Sequence, residues 1–253
     1  MALQKPTIEK WQDLIIKNGL PAQSVDLDFT PKLPGGRLAS LLSAMDALSA
    51  DKPKKIGTMT HFTSAYDHEN AGTIALEASY FAAAHERRKV LLINATAQGY
   101  RIHTETGTYP DISLEHFTDT LARTGKTQGV PIVNIRGAGL SYATLFDNKP
   151  YQNPSFNILI LKDMFEALRT VYDTIIIHSD QALQGGIAGA LAPCSDGTVI
   201  IIQAERTRTP VIKEMIAMIE NSGGKVIGSV MTERKYYIPQ WLYGLLFKTK
   251  KRD

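Results

Sequence analysis

With 253 residues, 43% of them hydrophobic and 21% charged, the chain has the composition of a folded globular protein. Its 28 Lys and Arg against 25 Asp and Glu leave a formal net charge of +3, too small to argue for a nucleic-acid partner. The single cysteine, Cys194, excludes an internal disulfide and a thiolate zinc site, and fits a reducing cytoplasm as a packing residue.

The opening, MALQKPTIEKWQ, lacks the apolar core of a secretory signal. No apolar run approaches the ~18 residues of a membrane span. Residues 1–53 are punctuated by Pro21, Pro31, Pro34, Gly35 and Gly36, then carry the helical pattern RLASLLSAMDAL. They read as an extended arm plus one helix. From Lys54 the pattern changes. Six apolar, β-branched runs follow: KIGTMTHF, RKVLLINA, VPIVNIRG, YDTIIIHS, DGTVIIIQA and KVIGSVMT. Between them lie helix-length segments, with Ala71, Ile74, Ala75, Ala78 and Ala82 on one face, and Ile212, Met215, Ile216 and Ile219 on another. Strands apolar on both faces and separated by helices predict a three-layer α/β/α domain over 54–235, built on a mostly parallel sheet. Residues 236–253 form a separate amphipathic, basic tail.

In an open α/β sheet, ligands bind at the carboxyl ends of the strands. Three loops are therefore expected side by side. The first is HFTSAYDHENAG. The second carries Asn94, Thr96 and Gln98, and the third His178, Ser179 and Asp180. The first loop stands where a phosphate-binding P-loop belongs, yet Ser64 to Leu76 contains one glycine and no lysine.

Here the chain resembles the bacterial tyrosine autokinases (BY-kinases) of capsule and exopolysaccharide synthesis, within the deviant-Walker, ParA/MinD-like P-loop ATPases. That family reads TSA-x-x-GEGKT after its first strand, LLID-x-D after the second and IIID-x-PP after a later one. Thr63, Ser64 and Ala65 match, as does Glu69 between the two glycine positions. His68 and Asn70 replace those glycines, Ala71 replaces the lysine and Gly72 the threonine. Asn94 and Thr96 replace two acidic residues. His178 stands at the Walker B aspartate, and Asp180 where a proline would be. The stretch DGTVIIIQAERTRTPVIKEMIAMIENSGGKVIGSVMTERKYYIPQWLYGLL follows the family's closing elements, and the resemblance spans roughly 35–247.

In that family the glycines let amides wrap the phosphates, the lysine offsets phosphate charge, and hydroxyl and aspartate hold magnesium. One such electrostatic contributor is worth on the order of 3 kcal/mol in the transition state. The resemblance with these replacements implies a pseudo-kinase: no catalytic residue, no metal site, and no binding of ATP or magnesium. It implies a cytoplasmic scaffold or regulator at the inner face of the bacterial inner membrane, docked on a membrane-spanning co-polymerase or another subunit of the exopolysaccharide machine. The helix from Arg37 to Leu48 occupies the place of the family's oligomerisation helix with little of its arginine and acid pattern, so a homo- or hetero-oligomer stays open.

Two other motifs are decoys. TGKT at 124–127 has Thr120 where a P-loop needs glycine, and it follows a helical segment. GAGLSY at 137–142 fails the dinucleotide fingerprint and reads as a loop after a strand. The histidines show no zinc-type spacing, although His61, His68 and His178 are candidates to converge at the strand ends. The rival function is therefore an atypical nucleotide-binding enzyme rebuilt around His61, Glu69, His178 and Asp180. A septum- or chromosome-positioning ATPase is a further rival, and it too needs the lysine.

In the tail, Pro239 suits a first helical turn. Ile238, Trp241, Leu242, Leu245 and Leu246 fall on one stripe, preceded by Tyr237 and followed by Lys248, Lys250, Lys251 and Arg252. Three uses fit: an interfacial helix on an anionic membrane, a docking helix for a membrane-embedded partner, or a terminal helix closing the domain's own core.

Overall fold

The computed structural model describes residues 22–26, 29, 32–47, 56–96, 110–124, 129–147, 158–183 and 186–234. Each of the six apolar runs forms a strand: β2 (Thr58–Ser64), β3 (Val90–Ala95), β4 (Ile132–Ile135), β6 (Thr174–Ser179), β7 (Gly197–Gln203) and β8 (Val226–Thr232). Two more complete the sheet, β1 (Ala22–Val25) in the arm and β5 (Leu140–Thr144). Among the described residues the helices are α1 (Gly35–Ala47), α2 (Ala71–Ala84), α3 (Leu114–Thr124), α4 (Ile158–Leu168), α5 (Gly186–Leu191) and α6 (Thr209–Asn221).

The eight strands run in the order β1-β4-β5-β3-β6-β2-β7-β8, and every neighbouring pair is parallel except β4 with β5. That exception corrects the reading of GAGLSY as a loop. Gly137 and Gly139 take φ of +78° and +69°, which a side chain disfavours, and turn the chain back. Leu140, Ser141 and Tyr142 then pair with β4. β1 escapes sequence reading because AQSV is short, half exposed and lies at the sheet edge.

Burial follows strand alternation. On one side of the sheet Phe62, Leu92, Ile176, Val199 and Ile201 pack under α1 and α2, meeting Leu38, Leu42, Met45, Ile74 and Ala78. On the other, Met59, Leu91, Ile93, Ile175 and Ile177 meet Phe117, Leu161, Phe165 and Leu168 of α3 and α4. α6 adds Met215 and Ile219 over Ile200. Both faces of the central strands are covered, which is why β2, β3, β6 and β7 are buried along their whole length. The predicted alanine face of α2 is buried against this sheet, and the predicted α6 face contributes two buried and two half-buried residues.

One buried ion pair and one buried carboxylate tie the layers together. Arg169, after α4, donates from Nη1 and Nη2 to the Asp196 carboxylate at 2.9 and 2.8 Å, with both side chains buried. Asp196 also accepts from the Met59 amide at 2.9 Å, joining the starts of β2 and β7 to the end of α4. On the opposite side the buried Glu77 carboxylate accepts the amides of Lys32 and Leu33 at 3.1 and 2.7 Å, clamping the arm to α2. Cys194 is buried, and burial pushes its thiol pKa upward, as suits a packing residue.

Candidate functional site at the carboxyl ends of the strands

The order β3-β6-β2-β7 brings the three predicted loops together at one end of the sheet. Register then decides which side chains share a face. Phe62 and Asn94 are both cross-strand partners of His178, and Ile177 is the partner of His61. Parallel partners point the same way, so Asn94 and His178 lie on the α2 side and His61 lies on the other.

The loop from β2 to α2 is organised by its own carboxylate. Glu69 is fully buried at the end of a single 3-10 turn, Asp67–Glu69. Its Oε2 accepts the amides of Ala65 and Tyr66 at 2.7 and 2.8 Å. Its Oε1 accepts the amide of Gln203 at 3.3 Å and the hydroxyl of Thr207. Asn70 takes φ 60° and ψ 38°, the left-handed conformation that asparagine tolerates better than most side chains. The loop thus keeps a glycine-like bend at Asn70 while an internal anion takes its first two amides. Ser64 closes on the Tyr66 carbonyl at 3.0 Å. Thr63 donates to the Asp180 carbonyl at 2.8 Å, and the Ala182 amide donates to the Ser64 carbonyl at 2.8 Å, fastening the loop to the segment after β6.

His178 fills the space over the first turn of α2. A Cβ at Gly72 would lie 3.0 Å from its Cε1 and 3.3 Å from its Nδ1, so the ring occupies the volume that a side chain at 72 would need. Ala71 beside it is buried and contributes only a methyl group. Burial lowers the His178 pKa to about 4, keeping the ring neutral near pH 7. Its Nδ1 has no hydrogen-bond partner; nor have Asn94 Nδ2 and Thr96 Oγ1, all three buried. Asn94 Oδ1 accepts the Thr96 amide at 3.3 Å.

The predicted convergence of three histidines does not occur. His61 is fully buried on the α3–α4 side, with Nε2 2.8 Å from Ser179 Oγ and Nδ1 3.3 Å from Thr198 Oγ1. Burial first, and His178 second, lower its pKa to about 3. His68 is exposed and stacks on Tyr66, ring centroids 5.3 Å apart. Alternation along β2 and β6 is the physical reason: neighbours in a strand cannot serve one face. Glu69 is likewise committed to the loop. Among the described residues no group of three His, Cys, Asp or Glu is placed to hold a metal ion.

α3 runs into the TGKT stretch at Thr124, and residues 125–127 lie outside those described. Tyr237, Ile238, Trp241, Leu242, Leu245, Leu246, Lys248, Lys250, Lys251 and Arg252 also lie outside them, as do Gln98 and His103. The amides taken by Glu69 could have been anticipated from TSAYDHE, where an acid follows a strand end by five residues. The Arg169–Asp196 pair carries no comparable sequence signal. No described helix is long and apolar enough to cross a membrane.

No family model and no curated protein sequence matches the chain. Solved structures do match its shape. The chimerical protein CapA2B2 superposes with a TM-score of 0.65 at 19% identity, covering 87% of this chain and 97% of that one. The kinase domain of the Escherichia coli tyrosine kinase ETK gives 0.59 at 14%, covering 88% and 96%. A ParA family ATPase from Chlorobium tepidum gives 0.57 at 11%, covering 76% and 81%. At these identities the likeness establishes the fold, a P-loop NTPase-like α/β/α domain of the ParA/MinD kind.

Proposed function

We propose that this chain is a degenerate tyrosine-autokinase-like protein of bacterial exopolysaccharide synthesis and export, a pseudo-kinase that serves as scaffold or regulator. The observation that carries the reading is His178 seated on Gly72. In the resembling family those two positions hold magnesium; here a neutral imidazole fills the space between them. The neighbouring amides of Ala65 and Tyr66 are taken by Glu69, and Ala71 supplies no charge. These residues do not fit a magnesium nucleotide, so no phosphoryl-transfer step is assigned to them. The fold shared with a tyrosine-kinase domain supports the kinase-like part of this reading, and the sequence resemblance of the closing third supports the polysaccharide branch. On this reading the chain lies at the inner face of the inner membrane and docks on a co-polymerase or related subunit.

The rival enzyme centred on His61, Glu69, His178 and Asp180 is disfavoured, because His61 lies across the sheet from His178 and Glu69 is spent on the loop. Calorimetric titration of the protein with ATP and ADP, with and without magnesium, tests the proposal. Silence up to millimolar nucleotide is expected. Magnesium-dependent binding in the micromolar range would overturn it.

A further inference from the structure

β1 and β8 are the two edges of the sheet, and they are finished differently. β1 is four residues long and runs into Asp26, which pairs with Arg136 at 3.3 Å. Shortness and charge are what keep an edge from pairing with other strands. β8 has neither: it holds seven residues, VIGSVMT, without a charge or a proline. The Ala204 amide donates to the Thr232 carbonyl at 3.0 Å, on the β7 side. Successive peptide groups of a strand alternate in direction, so Val230 faces β7 as well, while Ser229 and Met231 turn their N–H and C=O outward. Among the described residues no strand pairs with that side.

The side chains leave room at this edge too. Ile227 is the extra residue where the register shifts, so 228–232 is the regular stretch. On the α1 side a Cβ at Gly228 would meet nothing within 4 Å, and beside it a groove of about 450 Å³ opens between β8 and α1. Met231 follows its cross-strand neighbour Ile202 to the other side of the sheet, where α6 covers Ile200, and is 50% exposed.

We infer that β8 pairs antiparallel with β8 of a second copy, about a two-fold axis at Val230. In that register Ser229 stands opposite the partner's Met231, both outward, and such a pair exchanges both N–H···O bonds. The partner's Thr232 comes over the open Gly228, and the small Ser229 accommodates the partner's Met231, taking its exposed side chain out of water. Charge favours the antiparallel sense. Lys225 precedes β8, is exposed and carries no ion pair among the described residues. Glu233 follows β8, with one oxygen holding Gln203 Nε2, and Arg234 is engaged within its own chain. Antiparallel pairing brings Lys225 to the partner's Glu233 end, whereas parallel pairing sets like ends together. The contact is isologous, so two copies close on each other and no filament grows. The inference goes beyond the scaffold reading and does not depend on the nucleotide question.

Sedimentation of the full chain over a range of concentrations tests this. A species of twice 27.9 kDa that dissociates on dilution is expected. Ser229→Pro removes an outward amide while sparing the β7 ladder, and Met231→Lys puts a charge on the exposed side. Each should weaken the dimer at least tenfold and leave the urea midpoint of the diluted monomer where it was. Val230→Cys should give an inter-chain disulfide on mild oxidation, because opposed Cα atoms at the axis lie about 4.5 Å apart. Gly228→Cys should not, since its two copies stand roughly 14 Å apart. A monomer at every concentration would overturn the inference. So would a dimer that survives both Ser229→Pro and Met231→Lys and gives no Val230→Cys cross-link, the mark of another surface. A monomer whose Ser229 and Met231 amides resist hydrogen exchange has its edge covered by its own chain, and that too would overturn it.

Discussion

The loop after β2 and the ends of β3 and β6 lie side by side, yet they handle burial in opposite ways. In the loop, Glu69 is fully buried and accepts from three backbone amides and a hydroxyl, so the charge removed from water is repaid in hydrogen bonds. Next to it, Asn94, Thr96 and His178 each keep a buried polar atom without a partner. Buried polar groups in native proteins are nearly always satisfied. The contrast teaches that the loop is held by its own hydrogen bonds, whereas the strand ends carry polar atoms that add nothing to stability.

Breaking the satisfied side should cost most. Glu69→Ala orphans the amides of Ala65 and Tyr66 in a buried setting and is expected to destabilise by roughly 4 kcal/mol. Glu69→Gln should cost clearly less, since it keeps the acceptor oxygen. Urea midpoints at unchanged slope would measure both; equal stability of Glu69→Ala and wild type would refute the loop's dependence on its carboxylate.

The unsatisfied side should instead show in pH. His178 titrates near 4 when folded and near 6.5 when unfolded, and His61 near 3. The unfolded chain therefore binds more protons between those values. Stability is full above about pH 6.5 and falls as the pH drops through the window below it, by about 3 kcal/mol for His178. His178→Phe removes an unpartnered ring nitrogen, should be near neutral at pH 7, and should flatten the fall between pH 6 and 4. An unchanged pH profile in His178→Phe would show that the ring is not buried neutral.

Packing at the boundary is a finer probe. Gly72→Ala places a methyl group 3.0 Å from His178 and should cost about 2 kcal/mol. In the His178→Ala background the same change should be almost free. A double-mutant cycle with no coupling would break the assignment of the space over Gly72 to His178. Smallest of all, Asn70→Ala should cost about 1 kcal/mol at its left-handed φ, and Asn70→Gly should be within error of wild type.

Much of this was legible in the residues. Long apolar, β-branched runs such as LLINA and TIIIHS form central strands because both faces are buried, and the alanine face of α2 follows its helical spacing. β1 was missed because four half-exposed residues carry little hydrophobic signal. β5 was missed because glycines that mark a loop also make a tight reversal. At the site, the meeting of the three loops was legible, whereas the histidines were misread as a cluster.

What the sequence alone determined is the layer architecture and the absence of lysine from Ser64 to Leu76, since both depend on residue type and local period. Tertiary structure decided the rest. Only strand register shows that His61 and His178 lie on opposite faces, only packing shows the imidazole on Gly72, and only the fold brings Glu69 to the amide of Gln203, 134 residues away. Those contacts are long-range, and period-two and period-3.6 patterns carry information only about which face a residue takes, not about what it meets there.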